Sequence, residues 1–580
     1  MVNPSHPYKD TSDAVFDDFL KREADAIQKL RYPGRTSEDV AEDDAFHTVF
    51  YADIQEYLKF VSKTAPTAFV FEAFLCFCGL PPLARTAGHH RSWWTDPFLA
   101  CVGSHSVQSR LSSMEVENEF VQKLQRFART PVQWFQMASH HLFDRDFSLD
   151  GMQLNADFAR RILKQIVASH QTDDVFGEYL LAFELHHYPS EVVKTAKQLL
   201  MTNPSSQRLY HAYGLVELRR DNPTKAAQVF SMAINLSKTG SYGSYETLLL
   251  LSSWVWEALN RSDKAAALWR IAVPSGMLLA NSELKPNEST LETARSAISE
   301  ACEQALLRHD NQSAVMCTSL LALLTYLPSP NIEAGLSTHQ NLANYFASHR
   351  LTTSADAELH AQSIAHLLQY YITHAPIVKP SLTRTALEPH IANFPNNTIL
   401  LSLYAANEAR FAIDDRVRGI MQNSVMNTGT EERSVEGWSF AIHFETLRGE
   451  IAGSTAHSIR ALYKRATQSG ASGAHSPALW SSYLEFEVAQ LQLQRAKSQG
   501  KKHGKDNKKH GWESRLEEAE ARVKDTFLKG LKQLPWCKGF AMLAFGIEGV
   551  KEVLGEEGLG RVYGVMLEKE MRIYVDIQGV

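Results

Sequence analysis

The sequence predicts an all-α protein, a right-handed α-solenoid of stacked helix pairs. Three observations favour this class. First, the segment Lys225–Ile234 (KAAQVFSMAI) is matched by Lys264–Val273 (KAAALWRIAV) about 39 residues further on, a period typical of helix-pair repeats. Second, one short pattern of large apolar residues and glutamate recurs along the chain. Third, strand-like alternation is scarce, whereas apolar residues at helical spacing are frequent.

The recurring pattern is a large residue, a tyrosine or alanine three positions later, and a glutamate four positions after that. Its copies are Tyr210, Tyr213 and Glu217; Leu401, Tyr404 and Glu408; Trp438, Ala441 and Glu445; and Trp480, Tyr483 and Glu487. These positions share one helical face. We expect the large residues to fill the gap between helix pairs and the glutamates to meet Arg or Lys of a partner helix. The alternative is a catalytic carboxylate, which the recurrence of the position disfavours.

The composition is that of a folded protein and excludes several functional classes. The 580 residues are 44% hydrophobic and 21% charged and exceed one compact core. The net charge of -6 provides no global basic field for nucleic acid. Six cysteines without a C-x-x-C pattern disfavour a zinc site or a disulfide framework and fit a reducing compartment. The most apolar stretch, residues 67–80, is shorter than the about 20 residues that span a bilayer, so we expect no membrane partner.

Turn signals divide the chain into three parts. Residues 1–45 are predicted to be a partly disordered N-terminal segment that ends in the acidic run SEDVAEDD. Residues 46–330 are predicted to form the N-terminal half of the helical repeats. Residues 331–580 are predicted to form the C-terminal half, with a bend near Pro328–Pro330.

The main basic segment is RAKSQGKKHGKDNKKHG, residues 495–511, which we interpret as a loop inserted within one helix pair. Its lysines are candidates for contact with RNA phosphates or an acidic partner: Lys501, Lys502, Lys505, Lys508 and Lys509. The segment has no aromatic residue before Trp512, so base stacking is unsupported. A solvated loop without a binding role is the alternative that the composition favours.

The C-terminal segment predicts the end of the solenoid. PWCKGFAMLAF places Trp536, Phe540 and Leu543 on one helical face, so Trp536 is predicted to be a structural repeat position. GRVYGVMLEKEMRIYV predicts a last helix with one apolar and one charged side. Such a helix would shield the final apolar face of a solenoid. Docking of a partner on its charged side is the alternative.

Motifs of catalysis and cofactor binding are absent from the sequence. It contains no G-x-x-x-x-G-K-[ST], no H-E-x-x-H and no G-x-S-x-G. Adjacent histidines, such as His186 and His187, point about 100° apart on a helix and are poor ligands for one metal. We therefore predict a protein that is not an enzyme and has no cofactor or metal. An enzyme with an unrecognised site is the least favoured alternative.

Several segments resemble a known family. Paired helices with Trp, Tyr and Glu on the first and Ala and Arg on the second resemble HAT repeats, which are TPR-like. Longer segments resemble the nuclear RNAi-defective "two" (NRDE-2) family of HAT-repeat proteins. They are residues 49–58, 196–234, 394–421, 527–540 (FLKGLKQLPWCKGF) and 562–577 (VYGVMLEKEMRIYVDI). The resemblance covers most of residues 30–580 but only the C-terminal half of a typical member. The chain therefore resembles a fragment, a truncated form or a short gene model of such a member.

The resemblance implies a nuclear, non-enzymatic protein of small-RNA-guided silencing, RNA surveillance and splicing. Its implied partners are proteins of nuclear RNA processing, including the exosome-associated RNA helicase, although the helicase-binding segment of the family is not found in this chain. A non-catalytic scaffold is therefore the favoured function. Direct binding of RNA through the basic loop is the alternative.

Overall fold

The computed structural model describes most of the chain from residue 156 onward and a helix near the N-terminus. The described residues are 12–29, 156–170, 173–237, 241–273, 286–409, 414–421, 435–448, 455–499 and 509–571, with single residues or short groups between 52 and 80 and at 143, 573, 575 and 577. Within these residues the regular secondary structure is helical, without any strand. This finding confirms the all-α class.

The helices follow one another with short connections. In chain order they are α1 (Ser12–Lys29), α2 (Ala156–Ser169), α3 (Asp174–His187), α4 (Val192–Thr202), α5 (Gln207–Arg219), α6 (Pro223–Asn235), α7 (Tyr245–Asn260), α8 (Lys264–Ala272), α9 (Glu288–Leu307), α10 (Asn311–Tyr326), α11 (Ile332–Ser337), α12 (Gln340–Ser348), α13 (Ala355–His374), α14 (Pro380–Asn393), α15 (Thr398–Ala409), α16 (Asp414–Ile420), α17 (Val435–Arg448), α18 (Ala456–Ala466), α19 (Pro477–Gln499), α20 (Lys509–Gln533), α21 (Lys538–Gly546) and α22 (Glu548–Glu568). A short 3-10 helix, Ser472–His475, precedes α19.

Tight turns join the two helices of a pair. After α5, Asp221 has a φ of 57°, and after α7, Ser262 has a φ of 61°. In both turns the following residue donates its backbone N–H to a carbonyl in the last turn of the first helix, as Asn222 does to Glu217 at 2.9 Å. This Schellman geometry closes the first helix and reverses the chain. Helix α8 begins with a side-chain cap, in which Asp263 accepts from the N–H of Ala266. Helix α6 begins instead with Pro223 in its first turn and has no side-chain cap.

The helices stack in the manner of a solenoid. One helix of each successive pair contacts its counterpart in the next, and this row comprises α3, α5, α7, α10, α13, α15 and α17. The second helices pack on their own partners, as α6 does on α5 and α14 does on α13. Because the contacts join neighbours along the chain, the core is continuous from pair to pair. The predicted helical solenoid is confirmed. The row of contacting helices continues across the turn at residues 328–330, since α10 before the turn contacts α13 after it.

The C-terminal pairs approach closely at Gly530 of α20. A Cβ at this position would lie 2.3 Å from Cζ of Phe540 in α21 and 3.2 Å from Cε3 of Trp480 in α19. Gly530→Ala is therefore expected to lower the free energy of unfolding by about 1–3 kcal/mol through overpacking. Urea denaturation followed by circular dichroism would measure this change.

Gly564 of α22 provides the matched control for that substitution. A Cβ there meets no atom within 4 Å, so Gly564→Ala should raise the free energy of unfolding by up to about 1 kcal/mol through helix propensity. Equal effects of the two substitutions would contradict the close packing of α20 on α21.

Two buried histidines and a half-buried third meet where α13 and α14 approach the start of α12. Nδ1 of His339 lies 3.1 Å from Nε2 of His360, and the ring centroids of His360 and His390 are 6.2 Å apart. Burial lowers the pKa of His339 to about 3 and the pKa of His360 well below its usual value. Burial also lowers the pKa of His390. These imidazoles are therefore neutral at neutral pH.

This cluster predicts a loss of stability in mild acid. In the unfolded chain each imidazole takes up a proton near pH 6.5, whereas the folded chain keeps the imidazoles neutral. The free energy of unfolding therefore falls as the pH drops below about 6.5. Between about pH 7.5 and 5.5 we expect a loss of about 1–3 kcal/mol, measured by urea denaturation at both pH values.

Two variants identify the source of this pH dependence. His360→Gln should reduce it because glutamine does not titrate. His349→Gln should keep it, since His349 is exposed. An unchanged pH dependence in His360→Gln would assign the effect to other groups.

Candidate partner-binding surface

Most residues of the recurring pattern are buried between helices. The buried ones are Glu217, Leu401, Tyr404, Glu408, Trp438, Ala441, Glu445, Trp480, Tyr483 and Glu487. Tyr210 and Tyr213 are only half-buried at the edge of α5, which turns Leu209 and Ala212 into the core. The pattern thus marks buried positions in α15, α17 and α19. In α5 the glutamate of the pattern is buried, whereas the two tyrosines each lie one residue after a buried position.

Arginine–glutamate pairs recur between neighbouring helices. Nε of Arg384 in α14 lies 3.1 Å from Glu408 in α15, and Nε of Arg208 in α5 lies 2.7 Å from Glu178 in α3. The same kind of pair joins α2 to α3 and α5 to α7, through Arg160 with Glu184 and Arg219 with Glu257. Burial raises the pKa of the Glu408 carboxyl, and Arg384 opposes that shift. The pairs therefore align adjacent helices by charge and hydrogen bonding.

Glu487 of α19 holds arginines from two neighbouring helices. Nε and Nη2 of Arg460 in α18 donate to its two carboxylate oxygens at 2.5 and 2.9 Å. Nε of Arg522 in α20 lies 3.7 Å from the second oxygen. The hydrogen bonds to Glu487 raise the pKa of the Arg460 guanidinium. With 1% of its surface exposed, Glu487 serves the junction of three helices rather than a solvent-facing site.

Trp480 lies at the same junction. Its Nε1 donates to the carbonyl oxygen of Ala474 in the 3-10 helix at 2.8 Å, and its ring lies 6.3 Å from that of Tyr483. Tyr483 in turn stacks on Tyr463 of α18, with ring centroids 4.8 Å apart. These contacts place Trp480 and Tyr483 between consecutive helix pairs.

The prediction for Trp536 is wrong. The residue is 63% exposed and lies in the turn before α21, which begins at Lys538. Because the chain is not helical at Trp536, this residue does not share a helical face with Phe540. Phe540 and Leu543, which lie inside α21, are buried.

The predicted basic loop is shorter than the segment 495–511. Helix α19 continues to Gln499, and Arg495 within it bonds to Glu520 of α20 at 3.1 Å and also to Glu552 of α22. Lys501, Lys502, Lys505 and Lys508 lie outside the described residues, and Lys509 begins α20. Arg495 is therefore part of the helix packing and not of the loop.

The final helix ends earlier than the sequence predicts. Helix α22 stops at Glu568, and Glu570 follows with a φ of 52°. The N–H of Met571 donates back to the carbonyl of Met566 at 2.9 Å, which closes the helix. The chain then turns back, and the N–H of Ile577 donates to the hydroxyl of Tyr563 at 3.0 Å.

An apolar groove on α21 and α22 holds helix α1 from the other end of the chain. Phe16 stacks on Phe545 with ring centroids 5.6 Å apart. Phe19 meets the edges of Phe545 and Tyr563 at 5.3 and 5.4 Å. Leu20 is also buried. We call the surface formed by Lys538, Phe545, Lys551, Tyr563 and the backbone N–H of Val575 the α1 groove.

Charged groups flank the apolar contact in the α1 groove. Glu23 is fully buried; one of its oxygens accepts from Nζ of Lys538, and the other accepts from the N–H of Val575 at 3.1 Å. Nζ of Lys551 donates to Asp17 at 2.7 Å. Helix α1 is thus held by aromatic packing, one buried carboxylate and one further ion pair. The sequence predicts partial disorder over residues 1–45, although Phe16, Phe19, Leu20 and Glu23 have helical spacing.

Elsewhere the described surface offers two modest cavities and no cluster of side chains suited to a metal ion. A cavity of about 310 Å³ lies among α2, α3 and α4, and one of about 290 Å³ lies beside Trp438 and Arg465. Over the described part of the chain, no group of three or more His, Cys, Asp or Glu side chains could hold a metal ion. In the same residues, no helix combines the length and apolar character that crossing a membrane requires.

Two stretches of the chain match known family models. Residues 2–83 match the family described as NRDE-2, necessary for RNA interference. Residues 352–499 match the PRP39 N-terminal HAT repeat, a stretch that covers helices α13 to α19. Among the curated proteins, none matches the chain. The two matches confirm the predicted resemblance to NRDE-2 and HAT-repeat proteins, and helix α1 lies within the first of them.

Proposed function

We propose that the chain is a non-catalytic helical-repeat scaffold of nuclear RNA metabolism. It would present its array to protein partners in small-RNA-guided silencing, RNA surveillance and splicing. The observation that carries the proposal is the HAT-repeat match over residues 352–499. The match to the family necessary for RNA interference supports the same area of function. Nuclear localisation is part of the proposal.

The chemistry of the buried acids supports a role without catalysis. Glu408 and Glu487 are buried and paired with arginines of adjacent helices, so their charges stabilise the stacking. A solenoid exposes a long surface in proportion to its number of repeats, and that surface is available to partners. We propose proteins of nuclear RNA processing as those partners, with the exosome-associated RNA helicase as one candidate.

Affinity purification of the full tagged chain from nuclear extract, with and without RNase, tests this function. We expect RNA-processing proteins to be enriched over a tag-only control and to remain after RNase treatment, because the contacts are between proteins. Mass spectrometry would quantify the enrichment. Absence of such proteins from the purified material would contradict the scaffold function.

Direct RNA binding through the basic loop is the second candidate, since lysines carry the charge that neutralises phosphates. Helices α19 and α20 on either side of the loop pack on one another, so replacing Lys501, Lys502, Lys505, Lys508 and Lys509 by serine should leave the array folded. If these lysines hold RNA, log K should fall with log[salt] with a slope of about -0.7 per phosphate on a single strand. A steep slope that flattens in the serine variant would favour RNA binding over the scaffold.

A further inference from the structure

The α1 groove joins the two ends of the chain through a contact unlike those inside the array. The pair Glu23–Lys538 is separated by 515 positions and the pair Asp17–Lys551 by 534. Array helices contact neighbours in sequence, whereas α1 reaches its position from the opposite end of the chain. Helix α1 therefore contacts the groove as a segment far away in the sequence, and not as a neighbouring repeat.

The groove selects for charge as well as for apolar shape. The fully buried carboxylate of Glu23 receives both Lys538 and the N–H of Val575. Replacing this carboxylate would take the acceptor from the buried N–H of Val575 and would remove the ion pair with Lys538, which is unfavourable. A helix with a neutral or basic residue at this position would therefore bind poorly. The groove recognises aromatic residues at i and i+3, an aliphatic residue at i+4, and acidic residues at i+1 and i+7.

The contact is also small enough to be exchanged. Among the described residues it comprises three buried apolar side chains of α1, two ion pairs and the hydrogen bond from Val575 to Glu23. In one of the ion pairs, Asp17 has about half of its side chain exposed. A single short helix is barely stable when detached. Being on the same chain gives α1 a high effective concentration, so a weak contact is sufficient to keep it bound.

We propose that the α1 groove is a docking site for an acidic amphipathic helix of a partner protein, with the pattern F-D-x-F-L-x-x-E, and that α1 occupies it in cis until the partner displaces it. A second copy of this chain presents the same helix, but at ordinary concentrations it competes poorly with the tethered α1. An external helix with the same chemistry and a larger contact overcomes that advantage. The proposal does not depend on the scaffold function, which would stand if it failed.

Fluorescence anisotropy with labelled peptides and the full chain tests the proposal. The first peptide is residues 12–29. The second keeps only the residue types of Phe16, Asp17, Phe19, Leu20 and Glu23, at their spacing, on an alanine-rich helix. The protein variant Phe16→Ser/Phe19→Ser releases α1 from the groove without altering the groove itself. We expect both peptides to bind this released variant at least about tenfold more tightly than wild type, because the internal competitor is lost.

Exchanging the charges of the Asp17–Lys551 ion pair distinguishes specific recognition of the helix from non-specific hydrophobic binding. Adding Lys551→Glu to the released variant should weaken binding of the first peptide at least about tenfold. A peptide with Asp17→Lys should restore binding to that variant, since the ion pair is rebuilt with opposite signs. Circular dichroism and thermal melting of each variant would show that the array stays folded.

Three outcomes would overturn the proposal. Equal peptide affinity for wild type and the released variant would show that α1 does not block the groove. Aggregation or unfolding of the released variant, reproduced in a milder Phe16→Leu/Phe19→Leu variant, would make α1 a permanent cap of the solenoid. Dimers of the wild-type chain by sedimentation, lost in both the released variant and Lys551→Glu, would identify a second copy as the occupant.

Discussion

Replacing Trp480 by alanine is expected to lower the free energy of unfolding by about 3–5 kcal/mol. The side chain is 3% exposed, and its removal leaves a cavity where α19 meets the 3-10 helix and α20. The carbonyl of Ala474 also loses the hydrogen bond from Nε1. Denaturation with urea, followed by circular dichroism, would measure the change.

Trp536→Ala is the matched control, since it removes the same atoms from an exposed position. Its effect should stay within about 0.5 kcal/mol. If Trp480→Ala instead unfolds like wild type but loses a protein partner, Trp480 is a contact residue and its structural assignment fails. A large loss of stability in Trp536→Ala would show that the indole stabilises the turn before α21 despite its exposure.

The fold and the buried acids could be predicted because their determinants are local. The spacing of Trp480, Tyr483 and Glu487 predicts that they share one helical face. In a solenoid, such a face packs on a helix that is close in the sequence. The repeat of KAAQVF as KAAALW reports the second helix of two successive pairs. Each signal fits within about 40 residues, the length of one repeat.

Helix α1 could not be placed from the sequence because its determinants are distant. Its apolar stripe is short and lies among acidic residues, which suggested partial disorder. The groups that stabilise it, Phe545 and Lys538 among them, lie more than 500 positions away. Periodicity indicates that a helix can form, but it does not identify the surface that covers it.

Two predicted helical faces differ from the structure by one or two residues, each for a physical reason. At Trp536 the helix begins two residues later, at Lys538, so the expected face does not yet exist. In α5 the small residue Gly214 lets Phe230 of α6 approach so closely that a Cβ would lie 2.4 Å from its ring. This approach fixes which side of α5 is buried, and Tyr210 and Tyr213 are left at its edge.

Replacing Glu487 by alanine is expected to be as damaging as the loss of Trp480. The substitution leaves Arg460, with 10% of its side chain exposed, as a buried charge without its bidentate partner. Breaking one side of a buried pair typically costs about 3–5 kcal/mol. Arg460→Ala should destabilise less, since Arg522 remains near Glu487. Urea denaturation of both variants would measure the two losses.

The double variant Arg460→Met/Glu487→Met distinguishes two contributions to the free energy of unfolding. One is the destabilisation by an unpaired buried charge, and the other is the net stabilisation by the intact pair. Because two methionines fill similar volume without a buried charge, the double variant should be more stable than Glu487→Ala. The exposed pair Arg561–Glu557 of α22 serves as the control, and Glu557→Ala should leave stability nearly unchanged. If Glu487→Ala were as mild as Glu557→Ala, the Arg460–Glu487 pair would not hold α18 to α19. The glutamate of the recurring pattern would then require a function outside the packing of the repeats.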